Sequence, residues 1–277
     1  KEGAEDISVS RSANNLKWGI PVPGDESQTL YVWVDALTNY ISALGYGRND
    51  EDFENFWPAD VHCIGKDILR FHAVIWIGML LSAGIELPKD ILVHGFITVE
   101  GKKMSKSIGN VVDPFALVDK YGVDPVRYFF LREVPVTGDG DFSEQRFVER
   151  YNGDLADGLG NLVARSVSLA NKKNVNDFVG RGEVKEKVEK VTEKSSRLLE
   201  EYKFNESLEC IWGLVHFADR YIEEKKPWQG EQKEVIENLL YVLFSLSEML
   251  FPFIPQTAEE IKKQVRDRES RVLFPKI

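Results

Sequence analysis

The chain has 277 residues, enough for one large or two ordinary domains, and its 43% hydrophobic and 11% aromatic content supports a sizeable core and excludes global disorder. Its formal net charge of −10 at pH 7 excludes non-specific nucleic-acid binding through a broad cationic field, while local, shape-directed RNA contacts stay open. No apolar run reaches the length of about 18 residues that a membrane span needs. Cys63 and Cys210 lie far apart with no Cys-x-x-Cys pair, which fits a reducing compartment and gives no zinc site. The first residue is Lys1 and no signal-peptide pattern follows, so the sequence reads as a segment of something longer or a processed part.

In chain order, alternation over residues 6–11 followed by Pro21, Pro23 and Gly24 predicts a short strand and a turn. The β-branched and aromatic run 29–34 predicts a buried strand that ends at Asp35, with a helix over 36–44 stopped by Gly45. Trp57-Pro58 marks a loop, and 61–64 is a short apolar strand closed by Gly65. A helix over 66–83 is apolar nearly all round, which places it inside a protein and covered on several sides. Pro88 and Lys89 form a turn, and 91–99 predicts a third strand carrying His94-Gly95-Phe96. Strand and helix in alternation predict a parallel sheet with right-handed crossovers, whose ligands bind beyond the carboxyl ends of the strands. The chemically distinctive residues gather at those ends, at 33–35, 65–67 and 94–96.

Residues 101–110 read Gly-Lys-Lys-Met-Ser-Lys-Ser-Ile-Gly-Asn. Lys103, Met104, Ser105, Lys106 and Ser107 pack two cations and two hydroxyls between Gly101 and Gly109. Ammonium charge with hydroxyl and backbone donors on a glycine-flanked loop suits a polyphosphate, although an arbitrary Lys-Ser loop is more often a solvated basic turn. Short helices follow at 114–120 and 125–132, each with an early proline, and Gly138 to Asp141 reads as a flexible junction. A domain boundary near residue 150 divides a first domain, 1–150, from a second, 151–277. Helical patterns at 154–173, 184–202, 205–225, 232–250 and 256–265 make the second an all-α bundle.

Three groups of residues carry candidate chemistry. Trp33 closes the 29–34 strand, Ala36 and Tyr40 share a helix face, and His72 and Trp76 line up with Ile68 beside Phe71. Such an aromatic wall suits a flexible thioether, and on the residues alone it is first of all an ordinary aromatic core with one hydrogen-bonded histidine. Gly65-Lys66-Asp67 at a strand-to-helix turn lets a backbone approach a ligand and offers a carboxylate to ribose hydroxyls, or simply caps the helix. On the helix from Asp154, Leu155, Leu159, Leu162 and Val163 form an apolar stripe continued by Val167 and Ala170, while Asn161 and Arg165 share another face. Trp228 follows Pro227 and two lysines, and these polar and aromatic groups suit RNA bases as well as they suit a salt-bridged surface.

The string at 103–107 is the KMSKS signature of class I aminoacyl-tRNA synthetases, and with Asp35-Ala-Leu-Thr-Asn-Tyr40 the chain resembles the methionyl-tRNA synthetase family. The resemblance runs through essentially all of the chain. It implies an α/β fold: the second half of a class I Rossmann-like parallel-sheet catalytic domain over 1–150, then an all-α helical-bundle anticodon-binding domain over 151–277. It implies methionine held by Trp33, Ala36, Tyr40, Phe71, His72 and Trp76. ATP would lie against Gly65, Asp67, His94, Gly95, Ile97 and the loop residues Lys103, Met104, Ser105, Lys106 and Ser107. Lys106 and then Lys103 would stabilise charge on the departing pyrophosphate, with Arg11 near the reacting groups, and the loop would be mobile without ATP and ordered with it. Mg²⁺ would come with ATP, and no protein metal site is expected; zinc of the family's inserted domain falls outside the segment. Asn161, Arg165 and Trp228 would read the anticodon of methionine tRNA. The family's second signature, His-x-Gly-His, is absent from the four histidines here, so the missing amino-terminal half, fused or separate, is an expected partner and the segment alone is not expected to form adenylate. The alternatives are another class I synthetase, for leucine, isoleucine, valine or cysteine, and a non-catalytic tRNA-binding subunit of a split synthetase. The expected location is the cytoplasm, with the mitochondrial matrix as the alternative, and no membrane association.

Overall fold

The computed structural model describes residues 7–15, 18–48, 51–105, 107 and 109–277. The chain divides into two compact units, one up to His94 and one from Gly95.

In the first unit, β1 (Ser10–Ser12) and β2 (Pro21–Val22) flank β3 (Asp25–Leu30) in an antiparallel sheet of order β1-β3-β2. The run expected as a strand over 29–34 turns instead at Tyr31, and α1 (Val32–Ser42) begins there. Trp33 therefore stands in the first turn of a helix, not at a strand end. The reason is the stripe of Trp33, half-buried, with Leu37 and Ile41, both buried: its four-residue spacing extends helical periodicity back over residues whose β-branching alone favours a strand. After α2 (Glu51–Phe56), β4 (Val61–Gly65) pairs parallel with β5 (Asp90–His94), Gly65 lying opposite His94. The crossover between them is helical: a 3₁₀ turn at Lys66–Ile68, a π-helical stretch at Phe71–Trp76 and α3 (Ile77–Ala83). This crossover was expected to be covered on several sides. Among the described residues it is covered on one, where its own Trp76 and Leu80 pack with Leu37, Ile41 and Trp57, while Leu69, Val74 and Leu81 are exposed.

The strand expected over 91–99 is two strands. β5 stops at His94, and β6 (Ile97–Val99) belongs to the second unit. The break falls at Gly95, where a Cβ would stand 2.0 Å from the Gly138 carbonyl oxygen, so the chain passes in backbone contact with Gly138. The expected flexible junction at Gly138 to Asp141 is likewise ordered: β8 (Gly140–Phe142) pairs parallel with β6, and β7 (Lys102–Lys103) pairs antiparallel on the other side. Its glycines serve close approach, not slack.

Between β7 and β8 run α4 (Pro114–Tyr121) and α5 (Val123–Glu133). Pro114 opens α4, and the Asp113 carboxylate caps it by accepting from Phe115 N–H at 2.9 Å. α6 (Glu144–Arg150), a π-helical stretch Tyr151–Gly160 and α7 (Asn161–Lys172) form one continuous helical run, so residue 150 lies inside it. α8 (Gly182–Glu200), α9 (Phe204–Lys225), α10 (Lys233–Leu250) and α11 (Pro255–Asp267) complete the bundle close to the expected bounds. The stripe Leu155, Leu159, Leu162, Val163, Val167 and Ala170 is buried throughout, and the same core takes in Tyr128, Phe129, Phe142 and Phe147 from the α5–β8–α6 segment. Glu133 on α5 receives Arg146 and Arg150, and the Tyr128 hydroxyl donates to Asp154 at 2.7 Å. Burial and then the Asp154 carboxylate push the Tyr128 phenol pKa up, so it remains a donor. No helix of the described residues is long and apolar enough to cross a membrane.

Leu159 is fully buried in this stripe. Leu159→Ala is expected to lower the unfolding free energy by about 3 kcal/mol, read from urea denaturation, as transfer and cavity terms add.

Candidate active site and candidate RNA interface

The aromatic wall of the first unit is assembled from α1, β4 and the crossover helix. Trp33 stacks on Phe71, ring centroids 4.0 Å apart and planes 10° from parallel. His72 is buried, and its Nδ1 donates to the Ile68 carbonyl at 3.0 Å, one helical turn back. That fixes Nε2 as the acceptor for the Tyr40 hydroxyl, also at 3.0 Å. Trp76 is buried, and its indole N–H donates to His62 Nε2 at 3.1 Å. The wall is thus one hydrogen-bonded surface with aromatic faces and two imidazoles. Of the six residues chosen from the sequence, Trp33, Tyr40, Phe71, His72 and Trp76 come together in these contacts, and Ala36 lies exposed on α1 one turn before Tyr40.

His62 was missed. It is buried on β4, and burial, reinforced by the neighbouring His72, holds its pKa below the usual histidine value. The alternation of β4 contained the signal, because His62 and Ile64 face the same buried side.

At the carboxyl ends of the paired strands, Gly65, Asp67 and His94 converge. A Cβ on Gly65 would lie 2.8 Å from Asp67 Oδ1 and 3.8 Å from His94 Cε1. A side chain at residue 65 would displace the carboxylate, so glycine here keeps Asp67 folded back over the strand end. Gly95 and Ile97 belong to the second unit, Gly95 buried against Gly138 and Ile97 opening β6. On the sheet β1-β3-β2, the Arg11 guanidinium lies 4.0 Å above the Tyr31 ring and donates to the Ser8 and Ser10 carbonyls. Tyr31 faces Phe71 at 6.5 Å, which links Arg11 to the wall, and Arg11 with Trp18, Ile20, Val32 and Asp35 lines a cavity of about 510 Å³.

The lysine–serine loop leaves β7 at Lys103, whose ammonium lies 5.2 Å from the Phe96 ring centre. Lys106 lies outside the described residues. Met104 is half-buried, and Ser105 and Ser107 share a hydroxyl–hydroxyl bond of 2.7 Å. Asn110 closes the loop from its far end: its Oδ1 accepts from Ser105 N–H at 2.9 Å and its Nδ2 donates to the Lys103 carbonyl at 3.2 Å. The flanking glycines both adopt left-handed backbone, φ 72° at Gly101 and 73° at Gly109. Asp141 on β8 accepts from Thr98 Oγ1 at 2.6 Å and from Gly101 N–H at 2.8 Å, and these bonds hold its carboxyl below the usual range. Neither Asn110 nor Asp141 was singled out from the sequence, although both are polar residues beside a glycine turn. Among the described residues no group of three or more His, Cys, Asp or Glu side chains is placed to hold a metal ion.

In the bundle, Asn161 is exposed at the start of α7, and Arg165, one turn on, pairs with Glu223 of α9. Asp219, one turn before Glu223, has its carboxyl pKa raised by burial, with Arg165 and His216 opposing the shift. The expected alternative of a salt-bridged face and the cationic group are therefore the same residue. Lys226 ends α9 in left-handed backbone, and Trp228, 45% exposed, stands in the turn that follows. Lys173 at the end of α7 donates to the Gly230 carbonyl at 3.0 Å. The Arg165–Glu223 and Lys173–Gly230 bonds bracket the Trp228 turn along α7.

Residues 1–167 match the family model described as tRNA synthetases class I (M), and residues 183–276 match the anticodon-binding domain of tRNA ligase. The methionine–tRNA ligase of Caldanaerobacter subterraneus subsp. tengcongensis is 45% identical over 285 residues, covering 96% of this chain and 44% of the relative. That of Rickettsia conorii is 41% identical over 290 residues, covering 99% and 57%. The crystal structure of Mycobacterium tuberculosis methionyl-tRNA synthetase bound by methionyl-adenylate superposes with a TM-score of 0.82 at 39% identity, over 94% of this chain and 54% of that one. The chain spans about half the length of the relatives it matches. Its α/β portion and helical bundle are those of a class I catalytic half followed by an anticodon-binding domain, and the chain belongs to the tRNA synthetases class I (M), the methionyl-tRNA synthetase family.

Proposed function

We propose that this chain is part of a methionine–tRNA ligase, supplying the methionine pocket, the lysine–serine loop and the anticodon-reading bundle. The observation that carries the reading is the hydrogen-bonded aromatic wall, Trp33, Tyr40, Phe71, His72 and Trp76, adjoining the Gly65–Asp67–His94 strand end. A thioether fits such a wall, since sulfur contacts aromatic edges favourably and asks for little hydrogen bonding. Trp33, Ala36, Tyr40, Phe71, His72 and Trp76 hold the methionine side chain in this reading. Asp67 accepts from the ATP ribose, and His94, Gly95 and Ile97 border the base.

The methionine carboxylate oxygen attacks the α-phosphorus of ATP, the bond to the bridging oxygen breaks, and pyrophosphate leaves with the electron pair. The terminal tRNA hydroxyl then attacks the adenylate carbonyl and releases AMP. Positioning and electrostatics do most of this work. Lys103 and Lys106 stabilise charge on the departing pyrophosphate, Met104, Ser105 and Ser107 shape the loop around it, and Arg11 lies toward the reacting groups. Mg²⁺ in this reading enters with ATP, held mainly by its phosphates and water. Asn161, Arg165 and Trp228 read the anticodon, so residues 1–150 serve catalysis and 151–277 tRNA. Free Cys63 and Cys210 thiols accord with work in the cytoplasm.

The test is methionine-dependent pyrophosphate exchange by the full-length protein; exchange driven by another amino acid, or none, sinks the reading. Tyr40→Phe leaves His72 Nε2 without its donor and is expected to raise KM for methionine about tenfold, the cost of one unmet part-buried hydrogen bond. Because burial keeps the His62 pKa low, KM for methionine should stay level as pH falls to the ordinary histidine value of about 6.5 and rise only below it. Protonation there needs His62 Nε2, which Trp76 occupies as donor, so the neutral form carries the stability and loses it as pH falls through the depressed value. Arg165→Ala should lower kcat/KM for methionine tRNA about tenfold or more while leaving exchange unchanged, read by charging assays, as expected for loss of a base contact worth about 1–3 kcal/mol.

A further inference from the structure

Of the residues that line the cavity on the sheet β1-β3-β2, only Arg11 has a role in the reaction proposed above. The cavity has a volume of about 510 Å³, that of a small-ligand cleft, and Arg11, Trp18, Ile20, Tyr31, Val32 and Asp35 line it. Trp18 is 86% exposed, and Val32 and Ile20 are exposed beside it. An indole held this far out of contact adds little to folding, because nearly all of its apolar surface stays in water. What it supplies is an open ring face at the mouth of a cleft.

Two polar groups share that cleft. The Arg11 guanidinium is fixed in place: Nη1 donates to the Ser8 and Ser10 carbonyls at 3.0 and 2.7 Å, and the group lies 4.0 Å above the Tyr31 ring. Both bonds leave from Nη1, so among the described residues Nε and Nη2 are left to a ligand. A guanidinium already fixed can take a phosphate oxygen without first losing side-chain freedom. Asp35, in the first turn of α1, is an exposed carboxylate and accepts from hydroxyls. An open aromatic face, a fixed cation and a carboxylate are the groups that the base, phosphate and ribose of a nucleotide call for.

The cleft adjoins the methionine wall. The Tyr31 ring lies 6.5 Å from Phe71, which stacks on Trp33. The proposed ATP site stands elsewhere, at the carboxyl ends of β4 and β5. Two sheets of one unit thus offer two nucleotide positions to one amino acid, and the reaction needs two: ATP, and then the terminal ribose of the tRNA. We infer that this cleft receives the 3′-terminal nucleotide of the tRNA. The Trp18 indole stacks on the terminal base, Arg11 meets the phosphate and Asp35 accepts from a ribose hydroxyl. Stacking is blind to base edges, so the cleft holds the end of the RNA and does not identify it. The inference rests on the proposed function, and the two fail separately: absence of methionine-dependent exchange in the unaltered protein overturns the function and with it the inference.

The test uses the full-length protein and two methionine tRNAs, one ending in adenosine and one whose last residue keeps its ribose but has no base. Trp18→Ala is expected to lower kcat/KM for charging the first about tenfold and to change charging of the second by less than about twofold, as for the loss of one stacked base. Trp18→Phe, which keeps a ring, should recover most of the loss. Methionine-dependent exchange needs no RNA, and in both variants it should keep its rate and its KM for ATP. Equal losses on the two tRNAs, or unchanged charging, would overturn the inference. A raised KM for ATP would assign the indole to the base of ATP, and lost exchange would make it a structural residue; either result overturns the inference as well.

Discussion

Two stretches of backbone touch at Gly95 and Gly138, at a distance that admits no side chain on the first. From that contact β6 runs beside β8, β7 is added to β6, and the lysine–serine loop is presented from the edge. The same contact closes a circuit through α4 and α5, so the loop and the bundle share one frame. Aspartate completes it: Asp141 ties Thr98 to Gly101 and fixes the turn from which the loop departs.

Much of this was legible in the sequence because helices announce themselves. The Leu155-to-Ala170 stripe, the prolines at helix starts and the Glu–Lys face of α8 sit where their spacing put them. The short strands were harder. Residues 29–34 carry the composition of a strand, yet Trp33, Leu37 and Ile41 make a helical seam, and packing overrode local preference. Gly138 to Asp141 has the composition of a hinge and the role of a strand, because glycine marks close approach as readily as slack. At the candidate site, the cations and aromatics were visible as residue types. The groups that orient them, His62, Asn110 and Asp141, were not, since orientation depends on partners far apart in sequence.

The chain's acidic balance has a local counterpart. Arg165 does not stand in a basic patch; it stands between Glu223 and the partly desolvated Asp219. Phosphate attraction is correspondingly weak beside Arg165, whereas Trp228, 45% exposed, offers a stacking face next to the exposed Lys225 and Lys226.

The Asn110 amide has a thermodynamic consequence. It bridges the Lys103 carbonyl and the Ser105 amide, making a small closed ring within the backbone just where the loop begins. The conformational entropy of those residues is lost when the chain folds, so the phosphate ligand that we propose for this loop has less disorder to remove on association, and more of the free energy of its electrostatic contacts is left over.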